Sequence, residues 1–201
     1  MITLVTVVGT VALLAGFLAL NELVARRREP PLEASRKIAH VGSAVLAAVS
    51  CLWLDFRWYV LIGLLFSAAL LLARRYLPLR SLSSRAEGSW GDLLFGIGVA
   101  LAGLLSDNAI VFVLAVLILG LADTAAFLVG RRWPIRIVVL SRSVGGSLAF
   151  LVVAFLITLP AGPVTATVVA LACTVAELVS PRGTDNLTVP AIAAVLISAL
   201  V

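Results

Sequence analysis

Apolar runs long enough to cross a hydrocarbon core follow one another along the whole chain, each closed by charges or turn residues. They predict helical spans near 3–24, 36–54, 58–75, 90–105, 109–130, 146–160, 163–180 and 188–201. The expected fold is therefore all-α, a polytopic transmembrane bundle of about eight spans. The 146–160 and 188–201 runs are short for a span, so tilted, re-entrant or bundle-buried segments, and a total of seven spans, stay open. With no internal repeat, low-complexity segment or soluble linker, residues 1–201 are expected to form one membrane domain.

Composition supports this. The chain has 201 residues, 62% hydrophobic and only 12% charged, with a mean hydropathy of +1.18. A soluble domain carries about twice that share of charge. Residues 1–20 are expected to be a retained first span, since no basic segment precedes the apolar run and arginines follow it.

The net charge of +5 does not suggest nucleic acid, because the cations are scattered through short connections instead of lining one face. Membrane orientation explains them better. Of the 15 Lys and Arg residues, Arg57 alone falls in the even-numbered connections. The others, from Arg26, Arg27 and Arg28 through Arg74, Arg75, Arg80, Arg85, Arg131, Arg132 and Arg136 to Arg182, mark the odd-numbered ones. Lys and Arg near span ends prefer the cytoplasm, so both termini are expected outside and any chemistry inside, at a cell membrane.

Cys51 and Cys173 lie in apolar runs without a CxxC partner, and His40 is the sole histidine, which argues against a zinc site or a disulfide framework. The carboxylates are more telling. Asp55 and Asp107 fall on the outer side, and Glu22, Glu29, Glu33, Glu87, Asp92, Asp123, Glu177 and Asp185 on or near the inner one. An acidic residue costs roughly 2.5–3.5 kcal/mol at the centre of a spanning helix, so each needs a partner or a wet cavity.

Asp123 is the sharpest case. It lies in Gly120-Leu121-Ala122-Asp123-Thr124-Ala125-Ala126, roughly 10–12 Å below the inner helix end at 1.5 Å per residue. Small neighbours leave room for a ligand, and equally for a helix–helix hydrogen bond. Arg36, Lys37 and His40 have the i, i+3 and i, i+4 spacing of one helix face, suited to a phosphate; inner-side anchoring and a core histidine are the plainer reading.

Arg142-Ser143-Val144-Gly145-Gly146-Ser147 opens the sixth span. It offers unpaired N–H groups and a cation to an anion, or simply an N-cap. Glu177, Asp185 and Asn186 surround a Pro-Gly turn before Pro190, as hard oxygen ligands for Mg²⁺ or as a capped loop with Asp185 or Asn186 at the N-cap.

In this order, Arg36-Lys37-Ile38-Ala39-His40, Ala122-Asp123-Thr124-Ala125-Ala126 with Gly130-Arg131, Arg142-Ser143-Val144-Gly145-Gly146-Ser147, and Glu177 with Asp185, Asn186 and Pro190 resemble the polyprenol kinase family. That family includes dolichol and phytol kinases and is related to CTP-using phosphatidate cytidylyltransferases. Its third piece usually reads Lys-Ser-x-Glu-Gly-Ser, whereas here Arg142 stands for the lysine and Gly145 for the glutamate.

The resemblance implies phosphoryl transfer from a nucleoside triphosphate, often CTP, to an isoprenoid lipid alcohol. Arg36, Lys37, Arg142, Ser143, Gly146 and Ser147 would bind the nucleotide, and Asp123, Glu177, Asp185 and Asn186 would hold Mg²⁺. Asp123, Asp185 and His40 would serve the chemistry. The alcohol would arrive from the membrane lipids and the nucleotide from the cytoplasm. A cytidylyltransferase acting on a lipid phosphate is the nearest alternative, and a small ion-coupled transporter the more distant one.

Overall fold

The computed structural model describes residues 2–28, 32–76, 90–133, 142–181 and 183–201. Among them the regular structure is helical: α1 (Ile2–Arg28), α2 (Leu32–Ser50), α3 (Trp58–Tyr76), α4 (Gly91–Leu105), α5 (Ala109–Leu117), α6 (Asp123–Arg132), α7 (Val144–Thr158), α8 (Pro163–Val179) and α9 (Asp185–Leu200). A π-turn, Ile118–Ala122, joins α5 to α6 in one rod, and a 3₁₀ turn, Leu159–Ala161, ends α7. Glu29, Arg80, Arg85, Glu87, Arg136 and Arg182 lie outside the described residues.

Among the described residues four helical stretches are long and apolar enough to cross a membrane: Thr3–Arg28, Trp58–Tyr76, Ala109–Arg132 and Val144–Ala161. Gly91–Leu105, Pro163–Val179 and Asp185–Leu200 are shorter apolar helices. Large side chains such as Leu4, Leu52, Leu72, Ile110 and Val164 stand fully outward, a surface that suits lipid and not water.

The predicted runs match helices, but three helices start earlier. α2 begins at Leu32 instead of 36, α7 at Val144 instead of 146, and α9 at Asp185 instead of 188. The polar residues of these first turns interrupt the apolar pattern without interrupting the helix. For α7 the reason is local, because the Ser143 side chain caps it by accepting the Gly146 N–H at 3.1 Å. For α9 the N-cap is Thr184, with no side-chain cap bond, so Asp185 and Asn186 belong to the helix and neither is its cap.

The α5–α6 rod is the core around which the others pack. Phe112, Ala115, Val116, Ile118, Leu119 and Ala122 are almost wholly buried, together with Phe150 of α7, Cys173 of α8 and Ile197 of α9. α2, α7 and α9 lie against it, α3 and α4 form a tight pair, and α4 packs on α9. α1 stands at the edge and packs on α2. Asn21 donates to the Ser35 carbonyl at 3.0 Å and Trp53 to Thr10 at 3.0 Å, pinning α1 at both ends.

Close approaches depend on missing side chains. A Cβ on Gly98 of α4 would stand 1.9 Å from the Asn186 carbonyl of α9. Pro190, four residues on, has no N–H to give that carbonyl, so the two helices meet where the α9 ladder is open. On the other side of the molecule, a Cβ on Gly146 would come within 2.8 Å of the Ala126 carbonyl, which sets α7 directly against α6.

Candidate functional site

Helix ends converge on a cavity of about 760 Å³. The N-terminal turns of α2, α4, α7 and α9, the length of α6 from Asp123 to Arg131 and the C-terminal end of α8 contribute to its wall. Four N-termini around one space turn the positive ends of their dipoles toward whatever fills it.

All the residues singled out in the sequence line this cavity. α2 contributes Arg36, Lys37 and His40, α6 Asp123, and the start of α7 Arg142, Ser143, Gly146 and Ser147. α8 brings Glu177, and α9 Asp185 and Asn186.

The charges are knotted in pairs. Lys37 forms an ion pair with Asp123 and lies 5.3 Å from the Phe127 ring centre. His40 Nε2 donates to the Leu119 carbonyl at 3.0 Å and stands 3.5 Å from Asp123 Oδ2. The π-turn accounts for this donation, because a wider turn interrupts the helical ladder and exposes a carbonyl. Gly120 on the same turn lets α2 in: a Cβ there would lie 2.4 Å from that of Ala44.

Arg142 is forked between two helices. One guanidinium nitrogen meets Glu177 Oε1 at 2.5 Å and another meets Asp185 Oδ2 at 2.8 Å. Burial works against its charge, but Asp185 and Glu177 outweigh that and hold its pKa above the ordinary value. The arginine that stands for the family lysine thus does what an ammonium does poorly, bridging two carboxylates with a planar fork. Gly145, where the family pattern has glutamate, is buried with no room beside it, since a Cβ would lie 2.8 Å from the Trp133 carbonyl.

Several buried oxygens have no hydrogen-bond partner among the described residues: Glu177 Oε2, Asp185 Oδ1, Ser147 Oγ and Asp92 Oδ2 on the cavity wall, and Thr124 Oγ1. Unpaired buried oxygens are costly, and hard carboxylate oxygens of this kind suit Mg²⁺. No group of three or more His, Cys, Asp or Glu residues is positioned to hold a metal among the described residues. The donors therefore fit a Mg²⁺ that takes one or two carboxylates and completes its shell with phosphate oxygens and water. Asn186 Nδ2 donates to the Gly91 carbonyl at 2.5 Å, which ties the start of α9 to the start of α4.

Asp92 is the cavity residue for which the sequence supplied no role. Its carboxylate pairs with Arg74 of α3, which also faces the Trp90 ring at 5.9 Å. The available signal was an acid beside Gly91 at the start of an otherwise apolar helix. At the rim, Arg131 donates to Glu33 at 2.7 Å and closes α6 onto α2.

Comparison with known proteins gives the family. The chain is 31% identical over 202 residues to a phytol kinase of Synechocystis, covering 91% of this chain and 86% of that protein. It is 30% identical over 179 residues to an uncharacterized protein of Methanocaldococcus jannaschii, covering 83% and 93% respectively. No family model and no solved structure matches.

Proposed function

Because the chain belongs to the phytol kinase-like family of polyprenol kinases, we propose that it transfers the terminal phosphoryl group of a nucleoside triphosphate, CTP in the first instance, to the hydroxyl of an isoprenoid alcohol. The observation that carries this reading is the gathering of four separate polar pieces, on α2, α6, α7 and α8–α9, around one cavity inside an apolar bundle.

Phosphoryl transfer asks for positioning and charge stabilisation more than for covalent chemistry. The cavity wall supplies both. The first turn of α7, with the Arg142 fork beside it, suits a polyphosphate, and Arg36 and Lys37 reach the same space from α2. Ser147 Oγ, buried without a partner, is free to donate to a phosphate oxygen.

The wall carries Glu33, Asp92, Asp123, Glu177 and Asp185 against Arg36, Lys37, Arg131 and Arg142, one carboxylate more than cations. A bare polyphosphate would meet an acidic surplus there. Glu177 and Asp185 are the residues to hold Mg²⁺, which, when bound, offsets charge on the transferring phosphate. Their open oxygens point to this use.

Asp123 pairs with Lys37 and lies beside His40, so that it holds the Lys37 ammonium in place for the transferring group. His40, donating through Nε2 to Leu119, is fixed in orientation by the main chain of the rod that carries Asp123. The site would face the cytoplasm, where the nucleotide is, and the alcohol would come from the bilayer around a multi-pass bundle. Incubating the purified protein with CTP, Mg²⁺ and a panel of prenols tests the reading: a phosphorylated alcohol in the lipid extract is expected, and its absence with every alcohol and nucleotide tried rejects it.

A further inference from the structure

Taking that reading as its premise, we propose that Asp92 receives the hydroxyl of the lipid alcohol, and that the isoprenoid tail leaves the cavity between α2 and the α3–α4 pair. The nucleotide side of the cavity is built by α6, α7, α8 and α9, where Arg142 binds Glu177 and Asp185. Asp92 comes from α4, which meets that side where Gly91 accepts from Asn186 of α9. The Asp92 carboxylate is 5% exposed, one oxygen is held by Arg74 of α3, and Oδ2, buried at the cavity wall, has no partner among the described residues. A buried carboxylate with one oxygen taken and one open is complementary to a single O–H donor.

The neighbours of Asp92 on the cavity wall are apolar. Phe95 lies one turn further along α4, Phe66 comes from α3 and Leu18 from α1. The Phe95 ring stands 4.4 Å from the His40 imidazole, so this wall runs up to the Lys37–Asp123 pair. Helix packing says where a tail would go. α2 packs on α1 and on the α5–α6 rod, and α3 packs on α4, but among the described residues α2 has no extensive interface with α3 or α4. α2 touches the pair at the His40–Phe95 ring contact and the Ser50–Tyr59 hydrogen bond, and Leu18, Phe66 and Phe95 line the cavity along this loosely packed seam.

In the reaction the alcohol oxygen bonds to the terminal phosphorus while the bridging P–O bond breaks and the nucleoside diphosphate leaves with the electron pair. The hydroxyl proton passes to Asp92 Oδ2 and then to water. The Arg74 ion pair orients Asp92 beforehand, with one oxygen held and the other left to accept the proton.

A prenol carrying a diazirine in its tail tests the site by photolabelling the whole protein in detergent or bilayer. Labelling in α2, α3 or α4 that unlabelled prenol suppresses is expected; labelling confined to α8 and α9 overturns the assignment. D92N, assayed alongside, should raise KM for the alcohol or lower kcat by about tenfold with nucleotide binding changed less than about twofold. Loss of nucleotide binding with the KM for alcohol unchanged would also overturn it. Should D92N not fold, F95W serves in its place and should shift preference toward shorter prenols; an unchanged chain-length profile counts against the seam. Competed labelling at α2–α4 in a protein that phosphorylates no alcohol would remove the kinase reading and leave the alcohol site, while turnover with labelling elsewhere would do the reverse.

Discussion

Lys37 and Asp123 lie 86 positions apart in the chain and meet as an ion pair between α2 and α6, each side chain close to nine-tenths buried. Removing one partner leaves the other charge stranded in an apolar bundle, which costs roughly 3–5 kcal/mol where no water can follow. D123N is expected to lower turnover by about a hundredfold or more. K37M in the same background should cost less than the sum of the two single changes, because the pair is shared. A double-mutant cycle on kcat/KM checks this, and strict additivity would separate the two residues.

Arg142 binds Glu177 and Asp185 at once, a geometry that needs a fork. R142K keeps the charge and can satisfy one carboxylate but not both. KM for the nucleotide should rise by about tenfold, with a smaller change in KM for the alcohol. Steady-state kinetics with each substrate varied in turn reads the two separately.

Gly98 and Pro190 together set α4 against α9 at the carbonyl of Asn186. G98A pushes a methyl onto that carbonyl and should lower stability by about 1–3 kcal/mol, with some loss of activity because Asp185 and Asn186 move with the helix. Thermal unfolding in detergent, followed by the intrinsic fluorescence of the tryptophans, measures the first effect.

Gly145 invites the substitution that would restore the family glutamate. The Trp133 carbonyl already fills the space a side chain would need. G145E should therefore destabilise the α6–α7 contact and fail to raise activity, and G145A should show the same loss of stability at smaller size, about 1–3 kcal/mol. Matched melting and rate measurements on the two variants check it.

The sequence made the helical segments legible because apolar runs and charge clusters alternate at span length, and the π-turn hid nothing since 109–130 reads as one apolar rod. The starts of α2, α7 and α9 were harder, because Arg36, Ser143 and Asp185 look like connection residues while sitting at or inside a helix N-terminus. The polar pieces were legible one by one, since each places costly groups in lipid-length helices. Their meeting depends on crossings made by Gly98, Gly120 and Gly146, whose partners no local pattern specifies. Asp92 escaped for the same reason: its partner Arg74 ends the preceding helix, and only the α3–α4 contact joins them.

The most direct test follows the phosphorus. Purified protein, Mg²⁺ and an isoprenoid alcohol are given CTP labelled in the γ position and, separately, CTP labelled in the α position. Label from the γ position in the lipid phosphate, with the α label left in CDP and the transfer lost in D123N, is the predicted result. Recovery of the α label in the lipid, as a cytidylyl ester of the alcohol with release of pyrophosphate, would contradict the account.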